Sequence, residues 1–98
     1  MIHIEWPSHA FNQLEALPQN LSFEIIRRTD TLSVFPNLGA PLEIYSTKYK
    51  GYRQLIIAGK YRVIYQFKEI EQTIFILSVQ LCRQRLPSTR ELKRRLKP

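Results

Sequence analysis

Thirty consecutive residues, Tyr52 to Leu81, read as three strands in a row. "YRQLIIA" (52–58) runs into Gly59, "KYRVIYQF" (60–67) returns from it, "KEIEQ" turns, and "TIFILSVQL" (73–81) follows. Apolar and β-branched residues at a period of two, punctuated by a glycine and a polar turn, predict an antiparallel sheet. Gly59 suits the left-handed position of a short hairpin loop. The third run is nearly all apolar, which predicts a central strand covered on both faces. Along the second run, Tyr61, Val63, Tyr65 and Phe67 point one way, and Arg62, Ile64 and Gln66 the other. Carried onto the third run, the alternation predicts a core face of Tyr61, Val63, Tyr65, Phe67, Phe75, Leu77 and Val79. Arg62 then lies on the opposite face with Gln66, Ser78 and Gln80. That face is expected to be polar, positive and open unless a partner covers it.

The flanks supply the cover. "IHIEW" (2–6) reads as a short strand. Pro7 and Ser8 start a helix in which Ala10, Leu14 and Leu17 share a face, with Phe11 at its edge, and Pro18 stops it. Asn20 is expected to cap a second helix over 20–35, with Leu21, Ile25, Leu32 and Phe35 as its stripe. Arg28 falls inside the stripe, where its stem can lie on apolar surface. Residues 36–51, with two prolines and two glycines, read as a loop. In the tail, Ser88 and Glu91 stand at capping-box spacing, and Leu92 and Leu96 share one side of a short helix. The predicted class is α+β, in the order β-α-α-β-β-β-α, with two N-terminal helices on one face of an antiparallel sheet. Its 98 residues predict one domain, 1–98.

Charge is segregated along this plan. Residues 1–47 carry a net −3 and residues 48–98 a net +10. Such asymmetry points the C-terminal half at a polyanion or an acidic protein; solubilising charge is the plainer alternative. Hydrophobic content of 44% argues for a folded globule rather than disorder, and the 11 aromatics exceed what a bare scaffold of this size needs. Some are expected around a groove or partner surface. Cys82 is the only cysteine, so no intrachain disulfide or cysteine-based metal site can form, which suits a reducing cytoplasm. No apolar run approaches ~18 residues and no secretory signal is visible, so a membrane is not expected.

Familiar catalytic sets are missing. His3 and His9 lack metal-ligand spacing, and there is no phosphate-binding glycine loop or nucleophile elbow. Neither metal nor cofactor is expected. Cys82, without a histidine partner in sequence reach, reads as an inert thiol. What remains is a cluster of cations. Lys48, Lys50 and Arg53 lead into the first hairpin strand, Arg62 sits on its partner, and Arg83 and Arg85 leave the last strand. Neighbouring strands are expected to gather Arg53, Arg62 and residues 83–85 on one surface. Arginine forks match phosphate oxygens, and tyrosines offer faces for bases. Lys48, Lys50, Lys60, Arg90, Lys93 and Arg94 are the candidate RNA-binding cations.

The run "KGYRQLIIAGKYRVIYQF…TIFILSVQLCRQRLP" resembles the RelE/ParE toxin superfamily of bacterial type II toxin–antitoxin systems. "KYRVIY" matches that family's Y-R-[VLI]-[IV]-Y strand. The upstream spacing of Trp6, Ala10, Leu14, Leu17, Pro18, Ile25, Leu32, Pro36, Gly39 and Leu42 extends the likeness over nearly the whole chain. The resemblance implies a compact microbial ribonuclease-like fold, a cognate antitoxin in a hetero-oligomer, and one of two activities. RelE-like members cut mRNA in the ribosomal A site; ParE-like members inhibit DNA gyrase without nuclease residues. It implies that Arg62 contacts the reacting phosphate, that Arg53 is a catalytic cation on the preceding strand, and that Arg83 or Arg85 completes the set. Two departures stand out. Leu55 occupies the place of a second lysine, and "LPSTRELKRRLKP" has no tyrosine or histidine, while Leu81 and Cys82 stand where related chains carry histidine. The resemblance therefore leaves the general acid and base open among Lys48, Lys50, Lys60 and Glu43.

Overall fold

The computed structural model describes residues 1–97. Five strands form one sheet: β1 (His3–Glu5), β2 (Ala40–Pro41), β3 (Tyr52–Ile57), β4 (Tyr61–Lys68) and β5 (Thr73–Leu81), in spatial order β1-β5-β4-β3-β2. β3, β4 and β5 are the predicted antiparallel meander, and β2 pairs antiparallel with β3. β1 differs: it joins β5 in parallel, His3 opposite Thr73 and Glu5 opposite Phe75. That pairing leaves β5 between β1 and β4, the central place its apolar sequence predicts. Where β1 ends, side chains take over the edge of β5. Gln13 accepts the Val79 N–H at 2.8 Å, and Gln84 accepts the Leu81 N–H at 2.8 Å. Neither donor is left unpaired at the margin of the core.

Helices α1 (Ser8–Glu15) and α2 (Gln19–Asp30) cover one face of the sheet. Ala10, Leu14, Ile25 and Leu32 meet Leu55, Ile57, Val63, Tyr65, Ile74, Ile76 and Val79 there, nearly all without solvent exposure. Each large aliphatic side chain so buried contributes about 1.5–3 kcal/mol. Pro18, rather than Asn20, stands at the N-terminus of α2, and no side chain caps it. The helix ends at Asp30 and tightens into a 3-10 turn, Thr31–Ser33. Leu32 stays inside, but Phe35 leaves the stripe and is 62% exposed. Pro36 explains the departure, because a residue before proline is driven out of helical conformation.

A β-bulge overturns part of the predicted core face. Ile64 pairs with Ser78 but Tyr65 pairs with Ile76, so Leu77 is the extra residue. Leu77 and Ser78 both turn to the second face, and Val79 returns to the first. Phe75 and Leu77 consequently belong to the second face, not to the face of Tyr65. Strict alternation back from Val79 cannot register such an insertion.

Nor is the second face fully open. Leu42, Tyr52, Ile64, Leu77 and Leu92 form a smaller core on it. Leu92 comes from α3 (Thr89–Arg95), which starts at the predicted capping box: the Ser88 hydroxyl accepts the Glu91 N–H at 3.1 Å. Leu42 comes from the 36–51 connection, which contains β2 and two 3-10 turns, Leu42–Ile44 and Thr47–Tyr49.

At the β3–β4 turn, Ala58 and Gly59 both have positive φ, 56° and 63°. The left-handed region penalises a Cβ by roughly 1–2 kcal/mol. Ala58→Gly is expected to raise stability by about 0.5–1 kcal/mol, the strain relieved outweighing the added freedom of the unfolded chain. Urea unfolding measures it, and a destabilised variant would contradict the strain assignment.

Candidate functional site

Arg62 stands on the second face beyond the small core, partly buried. In register, Arg62 lies between Ile56 on β3 and Gln80 on β5. One step inward the row is Gln54, Ile64 and Ser78, where the small core begins. Among the described residues no hydrogen bond or ion pair within the chain engages the Arg62 guanidinium, and its Nε is buried without a partner. Its guanidinium carbon lies over the ring of Tyr45, 5.6 Å from the centroid. β4 is hydrogen-bonded on both sides, so the base of this side chain is rigidly held.

The other side of the row is built from amides. The Ser78 hydroxyl donates to Gln80 Oε1 at 2.8 Å. Gln80 Nε2 in turn donates to the Arg85 carbonyl at 3.0 Å and reaches the Gln84 carbonyl at 3.5 Å. The buried Gln80 thus draws the chain after β5 back to the row of Arg62. Lys60 and Arg83 line one groove with Gly59, Leu81 and Cys82, and the Cys82 N–H donates to the Lys60 carbonyl at 2.8 Å. Lys60 itself lies in the β3–β4 turn, just before β4 begins. Lys60 and Arg83 thus share the groove at the hairpin end of the sheet, while Arg62 stands two residues along the chain from Lys60, on β4. Arg85 is exposed in the segment after β5, its backbone fixed by Gln80.

Arg53 does not join them. It pairs with Tyr65 and so lies on the helix-covered face, opposite to Arg62. Its Nη1 donates to the Gly39 carbonyl at 2.7 Å and the Asn37 carbonyl at 3.3 Å. The expectation that Arg53 shares a surface with Arg62 fails on parity: nine residues separate them across a tight turn, and odd and even positions of β3 face opposite ways. Tyr65 braces the same connection. Its hydroxyl donates to the Pro36 carbonyl at 2.8 Å and accepts the Gly39 N–H at 2.9 Å. Burial pushes the Tyr65 phenol up, against the opposing pull of Gly39 and Arg53, so it remains a donor at neutral pH.

The remaining candidates are spread out. Lys48 and Lys50 are exposed at the second 3-10 turn of the 36–51 connection. Arg90, Lys93 and Arg94 are exposed on α3. Arg95 is mostly covered, and burial lowers its pKa. His9 is held below its usual range by burial and by Arg95, on a different part of the surface from Arg62. Sequence reasoning missed Tyr45 and Gln54. The one signal was the surplus of aromatics, with two tyrosines, Tyr45 and Tyr49, in the otherwise polar "YSTKYKG".

A sequence model of the family described as "ParE toxin of type II toxin-antitoxin system, parDE" matches residues 4–86. No individual curated protein matches the chain by sequence. Among solved structures, the fold is similar to a chain of the RelBE2 toxin–antitoxin complex of Mycobacterium tuberculosis. That match has a TM-score of 0.71 and 23% identity, over 82% of this chain and 96% of the other. It is also similar to a chain of the intact RelBE toxin–antitoxin complex of Escherichia coli, with a TM-score of 0.67 and 13% identity over 86% and 100%. The isolated RelE toxin of Escherichia coli gives a TM-score of 0.66 and 14% identity over 96% and 98%.

Proposed function

Because the chain belongs to the ParE toxin family of type II toxin–antitoxin systems, within the RelE/ParE superfamily, we propose that it arrests translation as a ribosome-dependent mRNA endonuclease. An antitoxin partner restrains it. The observation that carries this reading is Arg62: a cation on a rigid central strand, on the sheet face away from α1 and α2, with no hydrogen-bond partner for its buried Nε.

Cleavage by attack of the ribose 2′-OH requires that negative charge growing on the phosphate be stabilised. A guanidinium fork does this in bidentate fashion, and one well-aimed donor contributes roughly 2.7–4 kcal/mol. Lys60 and Arg83 extend the positive potential along the backbone of the same strand. Arginine stays charged and does not shuttle protons. In this proposal the ribosome holds the mRNA in line, which lessens the demand on side chains.

Inhibition of DNA gyrase is the second reading. The ParE description of the family favours it. So does the engagement of Arg53 with the 37–39 backbone, which removes one cation from a nuclease set. Two assays on one preparation separate the readings. Translating ribosomes with a defined transcript are expected to yield discrete cuts by primer extension, while plasmid supercoiling by gyrase proceeds unchanged. Intact mRNA together with blocked supercoiling would reverse the assignment.

A further inference from the structure

Beside Arg62 the 36–51 connection displays two large side chains that stay largely exposed: Ile44 is 67% exposed and Tyr45 is 52% exposed. Their display is built into the fold. The loop is pinned at one end by Leu42, fully buried in the small core. At the other end the Tyr49 hydroxyl donates to the Pro87 carbonyl at 2.9 Å. Between those anchors Tyr45 is held from two directions. Arg62 lies over its ring at 5.6 Å, and Gln54 Nε2 donates to its hydroxyl at 3.4 Å. Gln54 is itself 94% buried by its 6% exposure, and its Oε1 has no partner. A buried amide with an orphaned oxygen is a costly support for a merely exposed phenol.

We infer that Tyr45 is the floor of a nucleobase subsite, with an unpaired RNA base stacked on its ring and the adjoining phosphate on Arg62. Bases stack on aromatic faces regardless of identity, and a cation beside the ring reaches the nucleotide's charge. Within the described residues, the 36–51 connection is what brings an aromatic ring against Arg62. An RNA occupant follows from the pairing of a half-exposed flat aromatic with a guanidinium that has no hydrogen-bond or ion-pair partner among the described residues. An antitoxin peptide is the competing occupant. The cleavage role of the subsite rests on the nuclease reading above; base stacking itself is measured independently of it.

The test uses the full chain and a single-stranded trinucleotide carrying 2-aminopurine, whose fluorescence falls when the base stacks. Its ribose next to the scissile bond is 2′-deoxy, so no cutting occurs. Parent protein and Tyr45→Phe are expected to quench with similar affinity, because stacking needs the ring and not the hydroxyl. Tyr45→Ala is expected to bind at least about tenfold more weakly. Ribosome-dependent cleavage by Tyr45→Ala should show a raised half-saturating protein concentration, with the maximal rate less affected. Equal quenching by parent and Tyr45→Ala would overturn the subsite. So would a Tyr45→Ala protein that keeps full quenching but loses antitoxin affinity, which would assign the surface to the protein partner. Quenching by a parent that never cuts mRNA would uphold the subsite and sink the nuclease reading alone.

Discussion

Arg62→Ala is expected to lower ribosome-dependent mRNA cleavage about 100-fold or more while leaving a folded, antitoxin-binding protein. The size follows from the position of the charge. Arg62 is the cation that a strand paired on both sides carries onto the second face, beyond the small core. Stability should change little. The variant loses the contact with the Tyr45 ring, about 0.5–1 kcal/mol at an exposed site, and it also removes an Nε buried without a partner. Arg62→Lys should recover little, since a point ammonium does not reproduce the fork that holds two phosphate oxygens. Arg53→Ala is the informative contrast. Its guanidinium holds the Gly39 carbonyl on the other face, so its loss should register in thermal melting more than in cleavage at full folding. Cleavage and melting measured on the same preparations separate the two arginines. Equal cleavage by parent and Arg62→Ala would remove Arg62 from the reacting phosphate.

The meander was legible because burial imposes a period on it. The predicted third strand, 73–81, coincides with β5, and its central place follows from its unbroken apolar content. The capping box at Ser88 was legible for a local reason: its two hydrogen bonds join residues three apart. The second face was harder to read. An inserted residue at Leu77 changes which side chains share a face, and nothing in "FILSV" marks it. Its cover comes from Leu42 and Leu92, fifty residues apart, each unremarkable in its own stretch. The candidate site divides the same way. Arg62 could be found as a charge in an alternating strand. The exclusion of Arg53 depends on counting across a turn, and Tyr45 depends on a tertiary pin between Tyr49 and Pro87.

Tyr65→Asp is expected to abolish soluble folded protein, and the reason ties the core to the site. Tyr65 has no exposed surface, and its ring packs among the strands and helices of the first face. An unpaired carboxylate there must either be protonated or unfold the domain. The gentler Tyr65→Phe keeps the packing and removes only the hydroxyl. It leaves the Gly39 N–H and the Pro36 carbonyl without their shared partner, at about 1–3 kcal/mol for each buried group left unsatisfied. Gly39 is packed closely against the sheet. A Cβ at that position would meet the Gln54 carbonyl oxygen at 2.5 Å and the Tyr65 hydroxyl at 2.8 Å. Because β2 and the Leu42 anchor follow directly, loosening Gly39 should also loosen the loop that carries Tyr45. Tyr65→Phe is therefore expected to melt earlier than the parent and to quench the stacked-base probe more weakly, although the substitution lies on the opposite face of the sheet. A Tyr65→Asp protein that unfolds cooperatively at the parent's temperature would refute the inward placement. A Tyr65→Phe protein with lowered stability but unchanged quenching would confine the tyrosine to the core.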